Sequence, residues 1–317
     1  MGLKVVALAG GVGGAKLADG LAQILPPEDL TVVVNTGDDF EHLGLTICPD
    51  LDTVVYTLAG LANPETGWGR RDETWAFLDT LEGFGGPTWF RLGDRDLALH
   101  ILRTNRLRSG QPLSQIVGDV CRSLGVAPRI LPMTDDPVRT IVLTDEGDLP
   151  FQEYFVARGF EPAVRGFRFD GVERARPAPG ILESLEEAEA VVLCPSNPWV
   201  SLDPILALPG LRQAVARRPV VAISPIIAGR AVKGPAAKMY REMGIEPSPA
   251  AFAQHFGGLL AGLVMDTADA ALAPDLESAG LRTLIRPTLM QSPGDRRELA
   301  EATLALAGEV KRERAPR

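Results

Sequence analysis

The stretch Val5-Val6-Ala7-Leu8-Ala9-Gly10-Gly11-Val12-Gly13-Gly14-Ala15-Lys16-Leu17-Ala18 constrains the fold more than any other part of the chain. An apolar run stops at four glycines in five positions, and apolar residues at Leu17, Leu21, Ile24 and Leu25 follow at one-face spacing. The pattern predicts a strand, a tight glycine turn and a helix. Glycine allows a sharp turn and a close ligand approach. The free N–H groups and dipole of the following helix favour an anion over the turn, so Gly10, Gly11, Gly13, Gly14 and Lys16 are candidate phosphate-binding residues. The plain alternative is a strand-to-helix turn with glycines kept for packing. A side chain at Gly13 is expected to block a phosphate and leave the fold intact.

Neither well-known phosphate motif is present. A P-loop has Gly before its Lys and Ser or Thr after it, whereas Lys16 stands between Ala15 and Leu17. A dinucleotide fingerprint has its third glycine where Lys16 stands and an acid closing the second strand. Here Thr31-Val32-Val33-Val34 runs instead into Asn35-Thr36-Gly37-Asp38-Asp39. An NAD-linked oxidoreductase is disfavoured on these grounds, and an atypical nucleotide site is favoured.

Residues 38–52 carry five acids: Asp38, Asp39, Glu41, Asp50 and Asp52. In an open parallel sheet, residues just past a strand's carboxyl end line the ligand crevice. Asp38, Asp39 and Asp50 are therefore candidate catalytic residues and candidate ligands of magnesium, a hard ion suited to oxygen donors shared with phosphates. Asp52 reads as the N-cap of a helix starting near Thr53.

From Thr53 to about Leu124 the pattern is helical, with Trp68, Trp75, Trp89, Arg70, Arg71, Arg91 and Arg95 in it. Leu97, Leu99, Ile101, Leu102 and Leu107 read as the core face of one helix. This segment predicts a helical insertion over the crevice, whose tryptophans either stack on a flat ring or simply pack.

Arg139–Leu143 and Phe151–Val156 read as a hairpin joined through residues 145–148, and Phe160 to Ala178 reads as irregular. Buried strands then resume at residues 190–194, 219–223, 262–265 and 282–285. The first of these ends in Pro195-Ser196-Asn197-Pro198, and Lys233 follows the second. Ser196, Asn197 and Lys233 are candidate donors to a nucleotide diphosphate, although turn chemistry also accounts for Ser196 and Asn197.

The fold class is α/β: a Rossmann-like, mostly parallel sheet with flanking helices and a mainly helical insertion covering the ligand crevice. Residues 1–52 and 129–310 form the nucleotide-binding core, with a hairpin at about 139–156. Residues 53–128 form the insertion, and 311–317 a charged, frayed tail. A net charge of −9 argues against a nucleic-acid surface. Cys48, Cys121 and Cys194 are odd in number and far apart, which points to a reducing compartment. With no leader and no membrane span expected, the reading is a cytoplasmic protein. There is no nucleophile elbow, no His-Glu-x-x-His and no Cys pair at metal spacing; of His42, His100 and His255, only His42 lies in the acidic loop. Phosphoryl or nucleotidyl chemistry by positioning and a metal fits this inventory.

Ala9 to Lys16, Val34 to Asp39, Pro49-Asp50-Leu51-Asp52-Thr53, Trp89-Phe90-Arg91-Leu92-Gly93-Asp94-Arg95-Asp96 and Pro195 to Pro198 together resemble the 2-phospho-L-lactate transferase family CofD, called FbiA in actinobacteria. The resemblance runs over nearly the whole chain to about Ala307. It implies a step in coenzyme F-420 biosynthesis. The ribityl hydroxyl of the deazaflavin FO would attack the phosphorus that bears a small acid, in a guanosine diphosphate ester of lactate or enolpyruvate. GMP would leave, F-420-0 or dehydro-F-420-0 would form, and Mg2+ would be required. The resemblance implies FO against Asp50 and Arg91, with Trp89 and Asp94 from the same block, and a homodimer is an unsurprising state. The nucleotide is expected along Gly10 to Gly14, Ser196, Asn197 and Lys233. A related branch, the YvcK-like regulators, shares the glycine turn and Asn35 to Asp39 block without transferase activity. The Trp89-to-Asp96 block favours the transferase, and a change of tryptophan fluorescence with FO separates the two.

Overall fold

The computed structural model of the protein describes residues 3–314. Seven parallel strands form its main sheet, in the order Arg282–Ile285, Gly262–Met265, Val220–Ile223, Ala190–Leu193, Val5–Ala9 (β1), Leu30–Val34 (β2) and Arg129–Pro132. The sheet was expected; its edge strand Arg129–Pro132 was not. The chain runs outward from β1 to one edge, then returns to the other side of β1 and runs outward again. The order therefore reverses between β1 and Ala190–Leu193, which is where open α/β sheets bind ligands. Gly10 to Gly14 and Pro195 to Asn197 leave the sheet at that point.

Burial on both faces explains the continuous apolar runs. Val5, Ala7 and Ala9 face one core cluster with Leu17 and Leu21, while Val6 and Leu8 face the other with Leu193 and Leu263. Helix α1 (Val12–Ala22) packs on the C-terminal helix Pro293–Arg314. The two approach so closely that a Cβ on Gly20 would lie 2.1 Å from the Arg296 carbonyl oxygen.

Helix α2 (Pro49–Leu58) begins four residues before Thr53, with Pro49 at its first position. Cys48 takes the N-cap position, so Asp52 is not the cap; it lies in the first turn and is buried. Residue 53 falls inside α2, whose Leu51, Val54 and Val55 join the core cluster of β1 and β2. Helices α3 (Ala76–Gly83), α4 (Asp94–Arg108) and α5 (Leu113–Ser123) follow, and α5 buries Ile116, Val117 and Val120 in the same cluster. The buried face of α4 is His100, Arg103 and Thr104, while Ile101 and Leu102 are exposed. The expected apolar face of that helix is thus only partly right, through Leu99 and Leu107.

The hairpin also differs from expectation. Arg139–Thr144 pairs with Gly147–Pro150, and Glu153–Ala157 is a π-helical turn. Phe151 and Phe155, four residues apart, stack 5.5 Å apart, and a strand would put them at a wider spacing along one face. Val164–Asp170, within the segment expected to be irregular, is a third antiparallel strand on Arg139–Thr144. Its arginines are the outward residues: Arg168 pairs with Asp148 and Asp170. Lys311 to Arg314 continue the C-terminal helix, and residues 315–317 of the expected tail lie outside the described residues.

Candidate functional site

A cleft of about 580 Å³ opens over the point where the strand order reverses. Among its lining residues are Gly11, Gly13, Lys16, Asp38, Asp50, Trp89, Arg91, Ser196, Asn197 and Lys233. Of the other sequence candidates, Gly10 and Gly14 lie just behind this lining, and Asp39 and Asp94 lie outside it.

The glycine turn is built by close packing, and none of its four glycines has a positive φ. A Cβ on Gly10 would lie 2.4 Å from Ser201 Oγ, and one on Gly13 would lie 2.2 Å from the Pro195 carbonyl oxygen. A side chain at Gly13 would therefore press on backbone, which speaks against the expectation that a larger residue there leaves the fold intact. Gly10 N–H donates to Ser196 Oγ at 3.1 Å, which ties the two strand ends together. Gly11 is the N-cap residue of α1, which has no side-chain cap, so its first-turn N–H groups open toward the cleft. Asn197 caps the π-helical turn Pro198–Leu202, its Oδ1 accepting from Trp199 N–H at 3.1 Å. Lys16 Nζ donates to the Met290 carbonyl at 2.7 Å, and Lys233 Nζ donates to the Thr66 carbonyl. Burial lowers the ammonium pKa of both lysines, and for Lys16 the charges of Arg296 and Lys233 add to it.

Asp38 and Asp50 stand beside this turn. Asn35 is fully buried; its Nδ2 donates to Asp50 Oδ2 at 3.0 Å and to the Val200 carbonyl at 3.1 Å, while its Oδ1 accepts from Gly37 N–H at 2.8 Å. Asp50 Oδ1 points at the glycine turn, 2.8 Å from where a Gly11 Cβ would be. Burial pushes the Asp50 carboxyl up to about 6. Burial, and next the charge of Asp50, holds Asp38 well above the usual carboxylate range, and Asp38 Oδ1 is buried without a hydrogen-bond partner. Two desolvated carboxylates this close favour a cation or a shared proton between them. Asp39 is buried away from the cleft, near Cys48, Arg103 and Arg139, and burial raises it to about 7.

Beyond Asp50, the cleft is aromatic above a charged floor. Trp89 and Phe90 pack with Phe40 and His42, at ring distances of 5.1 Å for His42–Trp89 and 4.9 Å for Phe40–Phe90. Arg91 lies over Trp75 at 4.1 Å from the ring centre. In the floor, Arg103 pairs with Asp52, His100 Nε2 lies 3.4 Å from Asp96 Oδ2, and Tyr56 donates to Asp96 Oδ1 at 2.6 Å. Asp52, Asp96 and His100 bring ligand atoms within 4.8 Å of one another, a grouping compatible with a divalent ion, although Arg103 competes for Asp52. Asp94 instead accepts from Ala76 and Phe77 N–H and so caps α3 from a distance.

The family model described as 2-phospho-L-lactate transferase CofD matches residues 5–280. The chain belongs to the CofD family. It is 46% identical over 318 residues to the phosphoenolpyruvate transferase of Streptomyces avermitilis, covering 98% of this chain and 99% of that one. It is 44% identical to the enzyme of the same name from Streptomyces griseus, covering 98% and 100%. It is 41% identical over 314 residues to the 2-phospho-L-lactate transferase of Methanopyrus kandleri, covering 98% and 99%. A crystal structure of a UPF0052-family protein from Bacillus halodurans superposes with a TM-score of 0.63 at 16% identity, over 96% of this chain and 100% of that one, and shares the fold.

The protein is thus a CofD-family phospho-acid transferase. Several cleft residues of this CofD-family chain were not candidate site residues in the sequence: Tyr56, Asp96, His100 and Gln152. Only Asp96 and His100 left a signal, an acid and a histidine four apart on one helix. Among the described residues, no helix is long and apolar enough to cross a membrane.

Proposed function

We propose that the chain transfers a phospho-acid group from a guanosine diphosphate ester to the ribityl hydroxyl of the deazaflavin FO. Phosphoenolpyruvate transferases among its relatives support the enolpyruvyl ester as donor, giving dehydro-F-420-0. The observation that carries the reading is Asp50, held between a glycine turn suited to a diphosphate and an aromatic lobe suited to a flat tricycle.

In this reading the donor diphosphate lies along α1, Ser196 and Asn197, and Lys16 and Lys233 neutralise it. FO lies against Trp89 and Arg91, which brings its terminal hydroxyl to Asp50. Asp50 Oδ1 takes the hydroxyl proton as the oxygen attacks the phosphorus bearing the acid. The bond from that phosphorus to the GMP oxygen breaks, and GMP departs as a phosphate monoester. Asp38 and Asp50 are an oxygen-only pair with an unpartnered buried atom, which fits magnesium. When bound, the ion neutralises charge on the diphosphate. A homodimer in the cytoplasm completes the proposal.

Incubating the protein with FO, magnesium and each guanosine donor tests it. The mass of dehydro-F-420-0, with GMP released in equal amount, is the expected product. Absence of any FO adduct with both donors contradicts the reading.

A further inference from the structure

One polar side chain of the cleft is used by neither half of the proposed reaction. Gln152 is 6% exposed and lines the cleft. It precedes the π-helical turn Glu153–Ala157, yet its side chain makes no capping bond, and no partner for its carboxamide exists among the described residues. Its carboxamide is not among the fully enclosed unpaired groups, so both donors and the acceptor open to the cleft, free for a bound molecule. A ligand group is what would complete it. π-Helical turns are frequent at functional sites, where they aim a side chain out of the regular ladder.

The surroundings narrow the ligand. Phe151 and Phe155 flank Gln152, line the same cleft and stack 7° from parallel. Phe151 also packs in one cluster with Trp199, Val200 and Ala236, on the wall that carries Asn197 and Lys233. Aromatic neighbours with one uncharged amide suit a flat, neutral heterocycle better than a phosphate.

We propose that Gln152 reads the edge of a heterocycle that carries adjacent ring N–H and C=O groups. Its Oε1 accepts from the ring N–H and its Nε2 donates to the carbonyl. The inference rests on the transferase reading, which offers two such edges: the guanine of the donor and the pyrimidinedione of the deazaflavin. The wall shared with Asn197 and Lys233 favours guanine.

Gln152→Leu tests it by calorimetric titration with GDP, inorganic pyrophosphate and FO in turn. No hydrogen bond is lost in the free protein, so its melting point should match the wild type. GDP affinity should fall about tenfold or more, the scale of a bidentate amide contact to a base. Affinity for pyrophosphate, which has no base, and for FO should be unchanged. A tenfold loss for FO alone supports the same edge reading and assigns it to the acceptor. Unchanged GDP and FO affinities overturn the role of Gln152 and leave the transferase standing, as does a parallel loss of pyrophosphate binding, which marks general disruption. A wild-type protein that binds neither GDP nor FO overturns both. Should Gln152→Leu fail to fold, Gln152→Met, with its flexible side chain, carries the same comparison.

Discussion

Asn35 and Asp50 are joined by a buried hydrogen bond of 3.0 Å, in which the amide Nδ2 donates to the carboxylate Oδ2. The second Nδ2 hydrogen goes to the Val200 carbonyl and Oδ1 is taken by Gly37 N–H, so the amide has one possible orientation. One oxygen of Asp50 is thereby anchored and the other left toward the glycine turn. Asn35 is a positioning residue in this account.

Asn35→Ala should cost about 2 kcal/mol or more, because it strands a buried carboxylate, an N–H and a carbonyl together. Turnover should fall while GDP affinity is kept. In a double-mutant cycle with Asp50→Asn, the second substitution should lower turnover little further. Additive losses would mean that Asn35 only holds the loop.

Gly13→Ala should destabilise the protein by about 1–3 kcal/mol, the usual scale for forcing a methyl into packed structure. The cause is the Pro195 carbonyl, 2.2 Å from the new Cβ. Urea unfolding reads this directly; a wild-type midpoint would mean that the turn relaxes freely.

The pH dependence of stability should carry the mark of Asp39. Burial raises its carboxyl from 3.8 to about 7, so between those values the folded protein holds a proton that the unfolded chain has lost. This contribution is fully present below pH 3.8 and disappears as pH rises through about 7. Asp50, raised to about 6, adds in the same direction. Asp39→Asn should therefore stabilise the metal-free protein at pH 8, by on the order of a few kcal/mol. It should also flatten the fall in stability between pH 4 and 7. Unfolding curves at both ends of that range check this, and an unchanged slope would contradict it.

Arg91→Ala should weaken FO binding about tenfold or more, as the loss of a charge-assisted contact does, and leave GDP binding alone. Tryptophan fluorescence is a suitable readout, since Arg91 lies 4.1 Å from the Trp75 ring centre and Trp89 lines the cleft. Equal FO affinity in the variant would remove Arg91 from the acceptor lobe.

The parallel sheet was legible, apart from its edge strand Arg129–Pro132, because its central strands are buried on both faces and end in turn residues. Gly10 to Gly14, Asp38, Asp50 and Ser196 could be placed in one crevice because all follow carboxyl ends of neighbouring strands. The floor of the cleft was not legible. Arg103 and His100 are buried by partners from α2 and α4 that only tertiary packing brings together, and a charged helix face reads as solvated in sequence. Gln152 was hidden in the aromatic-rich run Phe151 to Val156, which reads as a strand although Glu153–Ala157 folds as a π-helical turn. Asp39 and Asp38 look equivalent as neighbours in a loop, yet only Asp38 lines the cleft.

The central claim is that Asp50 works on the acceptor hydroxyl. Asp50→Asn keeps the shape and removes the charge, so single-turnover formation of the FO adduct tests it most directly. General-base contributions are typically a hundred- to ten-thousand-fold. The account predicts a loss of at least about a hundredfold, with FO binding retained and no rescue by added magnesium. Rescue at high magnesium would make Asp50 a metal ligand alone, and near-normal turnover at ordinary magnesium would contradict the claim outright.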